Sequence, residues 1–157
     1  MPLFLSTFEN KVDKKGRVSV PAAFRAELID QGFAGVIAFP SFVHPAIEGW
    51  GKERLKALAG GIDTLDPFSD QRDDFANAIL AEAAELAFDG EGRVVLPEKL
   101  KAHARIAETA TFVGRGATFQ IWEPATFAAA QAEGIRRARE SRAVLKMAPG
   151  TDKEPGP

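Results

Sequence analysis

Cationic side chains cluster around a glycine near the N-terminus, in the segment Asp13–Pro21, which reads DKKGRVSVP. Lys14, Lys15 and Arg17 fall on or beside one tight turn, since Gly16 tolerates the positive φ that a hairpin turn needs. Lysine and arginine in such a position can bind nucleic-acid phosphates, and arginine can also contact the O6 and N7 atoms of guanine. The alternative is that these side chains are only solvated, which is the commoner state of lysines at a surface turn.

The segment occurs a second time, as DGEGRVVLP at residues 89–97, so the two copies are 76 positions apart (89 − 13). Asp, Gly, Arg, Val and Pro recur in the same order, which predicts two copies of one structural unit. The second copy has Gly90 and Glu91 in place of Lys14 and Lys15. A neutral residue and an anion weaken or reverse the attraction to phosphate that two cations provide.

The first copy is therefore the better candidate for binding a polyanion. We interpret Arg17 as the principal base reader or phosphate clamp, and Lys14 and Lys15 as phosphate contacts. The second copy is the better candidate for completing the fold or for packing between chains.

Further basic residues accompany each copy. Arg25 lies one helical turn into the helix after the first copy, where it either contacts DNA or pairs with Glu9 or Glu27. In the second copy Arg93 and Lys101 remain basic, and we interpret them as secondary candidates for DNA contact.

Other residues of the repeated segment are interpreted as structural. Asp13 and Asp89 are expected to accept hydrogen bonds from N–H groups of their own turns, as aspartate does at the first position of a turn. Gly16 and Gly92 are expected to supply the turn conformation. The proline that ends each copy suits the start of a helix, because its missing N–H costs nothing there.

Both halves of the chain predict the same order of elements around these turns, namely strand, turn, strand, helix, strand, strand. The elements predicted for the two halves are a strand at 7–13, a helix at 22–30 and short strands at 36–39, 46–50, 111–113 and 118–122. Between the halves, residues 52–58 and 67–84 are predicted to be helical, with Asp66 as the N-cap of the second helix.

A basic helix is predicted from Pro124 to about Lys146. Such a run is most often a solvated face, here partly neutralised by Glu133 and Glu140, and the alternative is pairing with the acidic spacer of a neighbouring chain. The final residues, 148–157, are rich in proline and glycine and are predicted to be disordered.

Composition limits the classes of function. The chain has 157 residues, a net charge of −2 and no cysteine, which excludes disulfides and thiolate metal sites. The charge is uneven, at +1 for residues 1–47, −7 for 48–91 and +4 for 92–157, so a polyanion partner is compatible with the acidic total. With no apolar run near the length of a membrane span and no signal-peptide pattern, we expect a cytosolic protein that does not enter a membrane.

No pattern of residues indicates an enzyme, a metal site or a cofactor site. His44 precedes a proline in a predicted loop and His103 lies in a short predicted helix, so neither shows metal-ligand spacing. We therefore expect neither catalysis nor a bound cofactor.

The run from Asp13 to Arg25, D-x-K-G-R-V-x-φ-P-x-x-x-R with φ apolar, resembles the signature of the SpoVT/AbrB-type DNA-binding fold. Two copies, a helical spacer and the IWEP run at 121–124 resemble the MraZ family over roughly residues 5–140. The resemblance implies an α+β fold, in which two interlocked repeats form a pseudo-two-fold swapped-hairpin β-barrel with flanking helices. The implied divisions are a first repeat at 7–54, an acidic helical spacer at 55–82, a second repeat at 83–126, and a basic helix with a disordered tail at 127–157.

The same resemblance implies a function. MraZ proteins are transcriptional repressors of the bacterial division and cell wall gene cluster that bind tandem short direct repeats of double-stranded DNA upstream of their own operon. They assemble into rings, so the resemblance also implies a homo-oligomer located in the cytoplasm at the nucleoid.

Two other classes remain as alternatives, a scaffold that kept the barrel but lost DNA binding and an antitoxin-like DNA-binding module. The retained cations of the first copy argue against a scaffold. Two motifs and a short terminal tail argue against an antitoxin, which typically has one motif and a long tail that binds its partner.

Overall fold

A computed structural model describes residues 2–150, and the part of the predicted disordered tail at 151–157 lies outside the described residues. The described chain is a mixed α/β protein. Its strands and α-helices are, in order, β1 (Thr7–Lys11), β2 (Arg17–Ser19), α1 (Ala22–Asp30), β3 (Gly35–Pro40), β4 (Ile47–Trp50), α2 (Lys52–Asp63), α3 (Asp70–Phe75), β5 (Ala84–Ala87), β6 (Arg93–Val95), α4 (Glu98–Ala104), β7 (Thr109–Gly114), β8 (Phe119–Trp122) and α5 (Pro124–Ser141).

Six of the strands form an antiparallel sheet in which strands of the two halves intermix, in the order β1-β7-β8-β4-β3-β5. Strand β1 of the first half pairs with β7 of the second, with Phe8 opposite Phe112. Strand β5 of the second half pairs with β3 of the first, with Val36 opposite Leu86. The first strand of each half therefore pairs with a strand of the other half.

The two remaining strands, β2 and β6, come from the two copies of the repeated segment and pair with each other in an antiparallel ribbon. Val18 lies opposite Val94 at the centre, with Arg17 opposite Val95 and Ser19 opposite Arg93. We call this pair the β2–β6 ribbon. Its register is symmetric about the central valines.

The larger of two apolar clusters among the described residues joins the ribbon to the sheet and to helices α1 and α4. Val18 and Val94 are both 1% exposed, because alternate residues of a strand point to opposite faces. Phe24 and Leu28 bury one face of α1 at the helical spacing i, i+4. The ring of Phe24 stands edge-on to Phe4 at 5.2 Å, so α1 is fixed against the core directly after the ribbon.

The acidic spacer differs from the prediction of one helix at 67–84 that is capped by Asp66. Asp66 instead accepts a hydrogen bond from the Phe68 N–H at 3.0 Å, and the N-cap is Ser69, whose hydroxyl accepts from the Arg72 N–H at 3.2 Å. Helix α3 is followed by one π-helical turn at Ala76–Leu80 and then by strand β5. Asp66 is thus a turn residue, because its side chain competes for the nearer N–H.

Other element ends also differ from prediction. Strand β1 ends at Lys11, since Asp13 belongs to the turn, and α2 continues past residue 58 to Asp63. Helix α5 is capped by Glu123 and ends at Ser141, followed by a short 3-10 turn. None of the helices within residues 2–150 combines the length and the apolar character needed to cross a membrane.

Candidate nucleic-acid interface

The first turn (Asp13–Gly16) is held together by one carboxylate. Oδ1 of Asp13 accepts the N–H groups of Lys15 and Arg17, both at 2.9 Å, and its Oδ2 accepts Nε of Arg17 at 2.6 Å. Gly16 has a φ of +82°, a conformation that glycine adopts without a Cβ penalty. The side chain of Asp13 and the conformation of Gly16 therefore restrict the backbone of this turn, between β1 and β2, to few conformations.

These hydrogen bonds, that from the Arg17 N–H most of all, hold the pKa of the Asp13 carboxyl below its ordinary value. Asp13 is thus a stable anion at neutral pH and fixes the guanidinium of Arg17 through Nε. The two terminal nitrogens of Arg17 make no hydrogen bond within residues 2–150, and the side chain is 35% exposed. Asp13 thus fixes the guanidinium of Arg17 through Nε, while its two terminal nitrogens have no partner among the described residues.

The second turn (Asp89–Gly92) repeats this backbone geometry. Oδ1 of Asp89 accepts the N–H groups of Glu91 and Arg93 at 2.9 Å, its Oδ2 accepts Nε of Arg93 at 2.8 Å, and Gly92 has a φ of +74°. A further contact of 3.4 Å joins Nη2 of Arg93 to Glu91. The hydrogen bond to Asp89, and then the charges of Asp89, Glu91 and Asp13, raise the pKa of Arg93.

Each turn is joined to the other copy by a backbone hydrogen bond. The Val20 N–H donates to the carbonyl of Gly92 at 3.1 Å, and the Leu96 N–H donates to the carbonyl of Gly16 at 2.8 Å. The two turns thus lie at the two ends of the β2–β6 ribbon, and each is anchored where the opposite strand ends.

The outer face of the ribbon carries both arginines of the repeated segment. Because Val18 and Val94 point into the core, Arg17, Ser19, Arg93 and Val95 lie on the opposite face, where Val95 is 54% exposed. Arg17 and Arg93 are diagonal neighbours in this register, and such positions are about 7–8 Å apart. The predictions from the single segments did not include this pairing, which depends on contacts between distant parts of the chain.

Lys14 and Lys15 are exposed and form no salt bridge within the described part of the chain. Lys11, which was not predicted to be a site residue, is also exposed and lines a shallow groove of about 420 Å³ together with Lys14 and Glu108. Lys11 lies outside the repeated segment, and its position at the end of a strand that leads into the turn was the signal available. The first turn therefore presents a group of unneutralised cations.

The side chain of Arg25 contacts the second turn instead of pairing with a glutamate. Its guanidinium donates to the carbonyl of Val20 and packs over Gly92, and it forms no salt bridge with Glu9 or Glu27 within residues 2–150. A Cβ at residue 92 would lie 2.8 Å from Cζ of Arg25. Arg25 thus connects Val20, which directly follows β2, with the second turn.

Lys101, the counterpart of Arg25, is largely covered. Its side chain is 15% exposed, and Nζ lies 3.3 Å from Glu98 one turn earlier on α4. The structure therefore places Arg17 and Arg93 on one face of the ribbon, with Lys14 and Lys15 on the turn beside Arg17, whereas Arg25 and Lys101 lie on helices α1 and α4.

The β2–β6 ribbon has two antiparallel strands and one basic turn, and some nucleic-acid-binding proteins place a two-stranded ribbon of this form in a DNA groove. Proteins similar to this chain are called "Transcriptional regulator MraZ". That of Pelagibacter ubique (strain HTCC1062) is 51% identical over 144 residues, covering 92% of this chain and 93% of the relative. Those of Rickettsia felis (strain ATCC VR-1525 / URRWXCal2) and Rickettsia akari (strain Hartford) are 48% and 47% identical, each covering 94% of this chain and 99% of the relative.

A family model described as "MraZ protein, putative antitoxin-like" matches residues 79–146, which include the second copy of the repeated segment. Together with the identity of about half over nearly the whole chain, this match settles the family. The chain belongs to the MraZ family.

Proposed function

We propose that this protein is a sequence-specific DNA-binding transcriptional regulator, acting as a repressor of the division and cell wall gene cluster. It would bind tandem short direct repeats upstream of its own operon. The observation that carries the proposal is the exposed face of the β2–β6 ribbon. There Asp13 holds Arg17 through Nε, and the adjacent Lys14 and Lys15 form no salt bridge with any described residue. Membership of a family whose members are called transcriptional regulators supports it.

In this proposal the ribbon enters the major groove, which is about 12 Å wide and admits two strands. Lys14 and Lys15 contact phosphates, and the terminal nitrogens of Arg17 reach the O6 and N7 atoms of guanine. Because Asp13 already fixes Arg17 through Nε, little side-chain freedom is lost on binding. Arg25 keeps the ribbon in position through Val20 and Gly92.

Arg93 is the secondary contact in this proposal, because it shares the outer face of the ribbon with Arg17. Lys101 is a weaker candidate, since its side chain is mostly covered and pairs with Glu98. Asp13, Asp89, Gly16 and Gly92 act through the backbone of the turns and do not touch DNA.

We also propose that the fold is the pseudo-two-fold swapped-hairpin barrel. The exchange of β1 and β5 between the halves and the pairing of β2 with β6 support it. The corresponding divisions are two repeats at 7–54 and 83–126, the spacer at 55–82 and the C-terminal segment at 127–157.

Self-association into a closed ring is the third part of the proposal. The end of the chain exposes apolar residues on a basic background, Val144 at 80%, Leu145 at 85% and Met147 at 95%, close to Arg139 and Arg142. Exposed apolar groups of this kind mark contact surfaces when they occur together. We call residues 135–147 the basic terminal surface.

An acidic surface of opposite character lies on the spacer. Phe68 is 95% exposed, and Asp70, Asp73 and Asp74 form no salt bridge within residues 2–150. Two different surfaces that complement each other form head-to-tail contacts, and such contacts close into rings when the rotation allows. A ring would present several ribbons to tandem boxes and raise the affinity through effective concentration. Such a protein would act in the cytoplasm, at the nucleoid.

Fluorescence anisotropy tests the DNA part of the proposal. Labelled DNA from upstream of the gene is compared with scrambled DNA over a salt series, for the native chain, Arg17→Ala and the control Arg105→Ala. Arg105 is an exposed arginine at the end of α4, outside the ribbon and its turns. We expect preference for the upstream DNA, a steep salt slope, and loss of preference in Arg17→Ala only. Equal binding to both DNAs would contradict sequence specificity, and binding to neither would favour the scaffold alternative.

A further inference from the structure

The β2–β6 ribbon has nearly equivalent ends in its backbone. Its register places Val18 opposite Val94, so Arg17 takes the place of Arg93 when the two ends are exchanged. The carboxylate that organises each turn, the positive φ of each glycine, and the backbone bond from each turn to the other strand all recur. The backbone geometry alone would therefore let the ribbon bind a DNA duplex equally well in either direction.

The charges of the two ends differ strongly. The first turn with its arginine holds three cations and one carboxylate, and the second turn with its arginine holds one cation and two carboxylates. Lys14 and Lys15 have the positions that Gly90 and Glu91 have in the second turn. Within the two turns themselves, this charge difference comes from two residue positions on otherwise matching backbones.

Glu91 also acts on the arginine beside it. Its side chain is 73% exposed, and its carboxylate lies 3.4 Å from Nη2 of Arg93, which is already bound to Asp89 through Nε. Arg93 is thus held by two carboxylates, whereas Arg17 is held by one. An exposed anion in this position also repels a nearby phosphate.

We propose that Glu91, with Gly90, determines the orientation of the protein on DNA, because only the first turn can close on the phosphate backbone. The proposal rests on the proposed DNA-binding function. A ribbon with two equal turns would fit a palindromic box in either direction. A ribbon with unequal turns reads a box without internal symmetry and binds it in one direction.

Directed cleavage of DNA measures this orientation. The chain contains no cysteine, so Ala22→Cys, at the exposed start of α1, accepts a single iron-chelate probe that cuts nearby DNA. The probe is placed in the native chain and in a variant whose turns are exchanged, Lys14→Gly, Lys15→Glu, Gly90→Lys and Glu91→Lys. Lysine at residue 90 is accommodated, since a Cβ there has no atom within 4 Å.

We expect the native chain to cut at one end of each box and the exchanged variant to cut at the opposite end. Cuts at the same end in both proteins, or at both ends in the native chain, would overturn the inference while leaving DNA binding intact. Absence of native binding to the upstream DNA would instead overturn the proposed function and the inference with it.

A single substitution gives a second test that does not depend on the fourfold variant folding. Glu91→Lys should make the slope of log affinity against log salt steeper by about 0.9, the value for one added phosphate contact. It should also produce cuts at both ends of the box. Asp30→Lys makes the same charge change at the far end of α1 and should alter neither result. An unchanged slope and an unchanged cutting pattern in Glu91→Lys would overturn the inference.

Discussion

The guanidinium of Arg25 packs against Gly92, so that helix α1 of the first half contacts the second turn, which belongs to the second half. A Cβ at residue 92 would approach Cζ and Nε of Arg25 to 2.8 Å, and the φ of +74° already favours glycine. The two residues are far apart in the sequence. Their contact therefore links the two halves of the chain.

Gly92→Ala is expected to destabilise the protein strongly. The left-handed conformation alone costs a non-glycine residue about 1–2 kcal/mol, and the displacement of Arg25 adds to that cost. Gly90→Ala is the matched control, since its Cβ would meet open space, and its effect should be within about 0.5 kcal/mol. Urea unfolding followed by circular dichroism measures both variants, and equal midpoints would contradict both the cost of the positive φ and that of displacing Arg25.

Arg25→Ala separates support of the ribbon from direct contact with phosphate. Loss of the hydrogen bond to the Val20 carbonyl should lower the free energy of unfolding by about 1–3 kcal/mol, because the donor is charged. The salt slope of DNA binding should stay the same, since a supporting residue releases no counterions. A slope lowered by about 0.9 with unchanged stability would instead identify Arg25 as a phosphate contact.

The local parts of the interface could be predicted from the sequence, because they depend on neighbouring residues. Asp13 is four positions from Arg17, and one turn geometry satisfies the carboxylate, the two N–H groups and Gly16 together. The role of Arg25 could not be predicted in the same way, since its neighbour Gly92 is remote in the chain. Glu9 and Glu27 were plausible partners, but neither forms a salt bridge with Arg25 within residues 2–150.

The spacer shows a different limit. Asp66 and Ser69 are both good N-cap residues, and propensity alone does not decide between them. In the structure Asp66 accepts the nearer Phe68 N–H, and Ser69 accepts the Arg72 N–H and caps α3. The pairing of β2 with β6 was likewise accessible only through the resemblance to a known fold, since nothing local requires Val18 to meet Val94.

The turns are expected to lose order in acid. Folding lowers the pKa of both Asp13 and Asp89, mainly through the N–H groups of Arg17 and Arg93, so the ionised forms stabilise the folded state. This contribution is complete above their ordinary pKa of 3.8 and is lost as the pH falls through the lower folded value. Melting temperatures of the native chain should therefore fall below about pH 4, and Asp13→Asn with Asp89→Asn should flatten that fall. An identical pH profile in the double variant would contradict the assignment.

Charge reversal tests the proposed contact between the basic terminal surface and the acidic surface of the spacer. Arg139→Glu with Arg142→Glu should reduce the oligomer in light scattering, because like charges would then face each other across the contact. Asp70→Lys with Asp73→Lys should do the same from the other side.

Mixing the two charge-reversed proteins tests whether the two surfaces contact each other. In a mixture, the reversed terminal surface of one variant faces the reversed spacer of the other, so attraction between those surfaces is restored and association should recover at low salt. Recovery would distinguish a specific head-to-tail contact from loss of folding, since an unfolded variant cannot be rescued by its partner. Two variants that each keep the native oligomer would place the contact between copies on other surfaces of the chain.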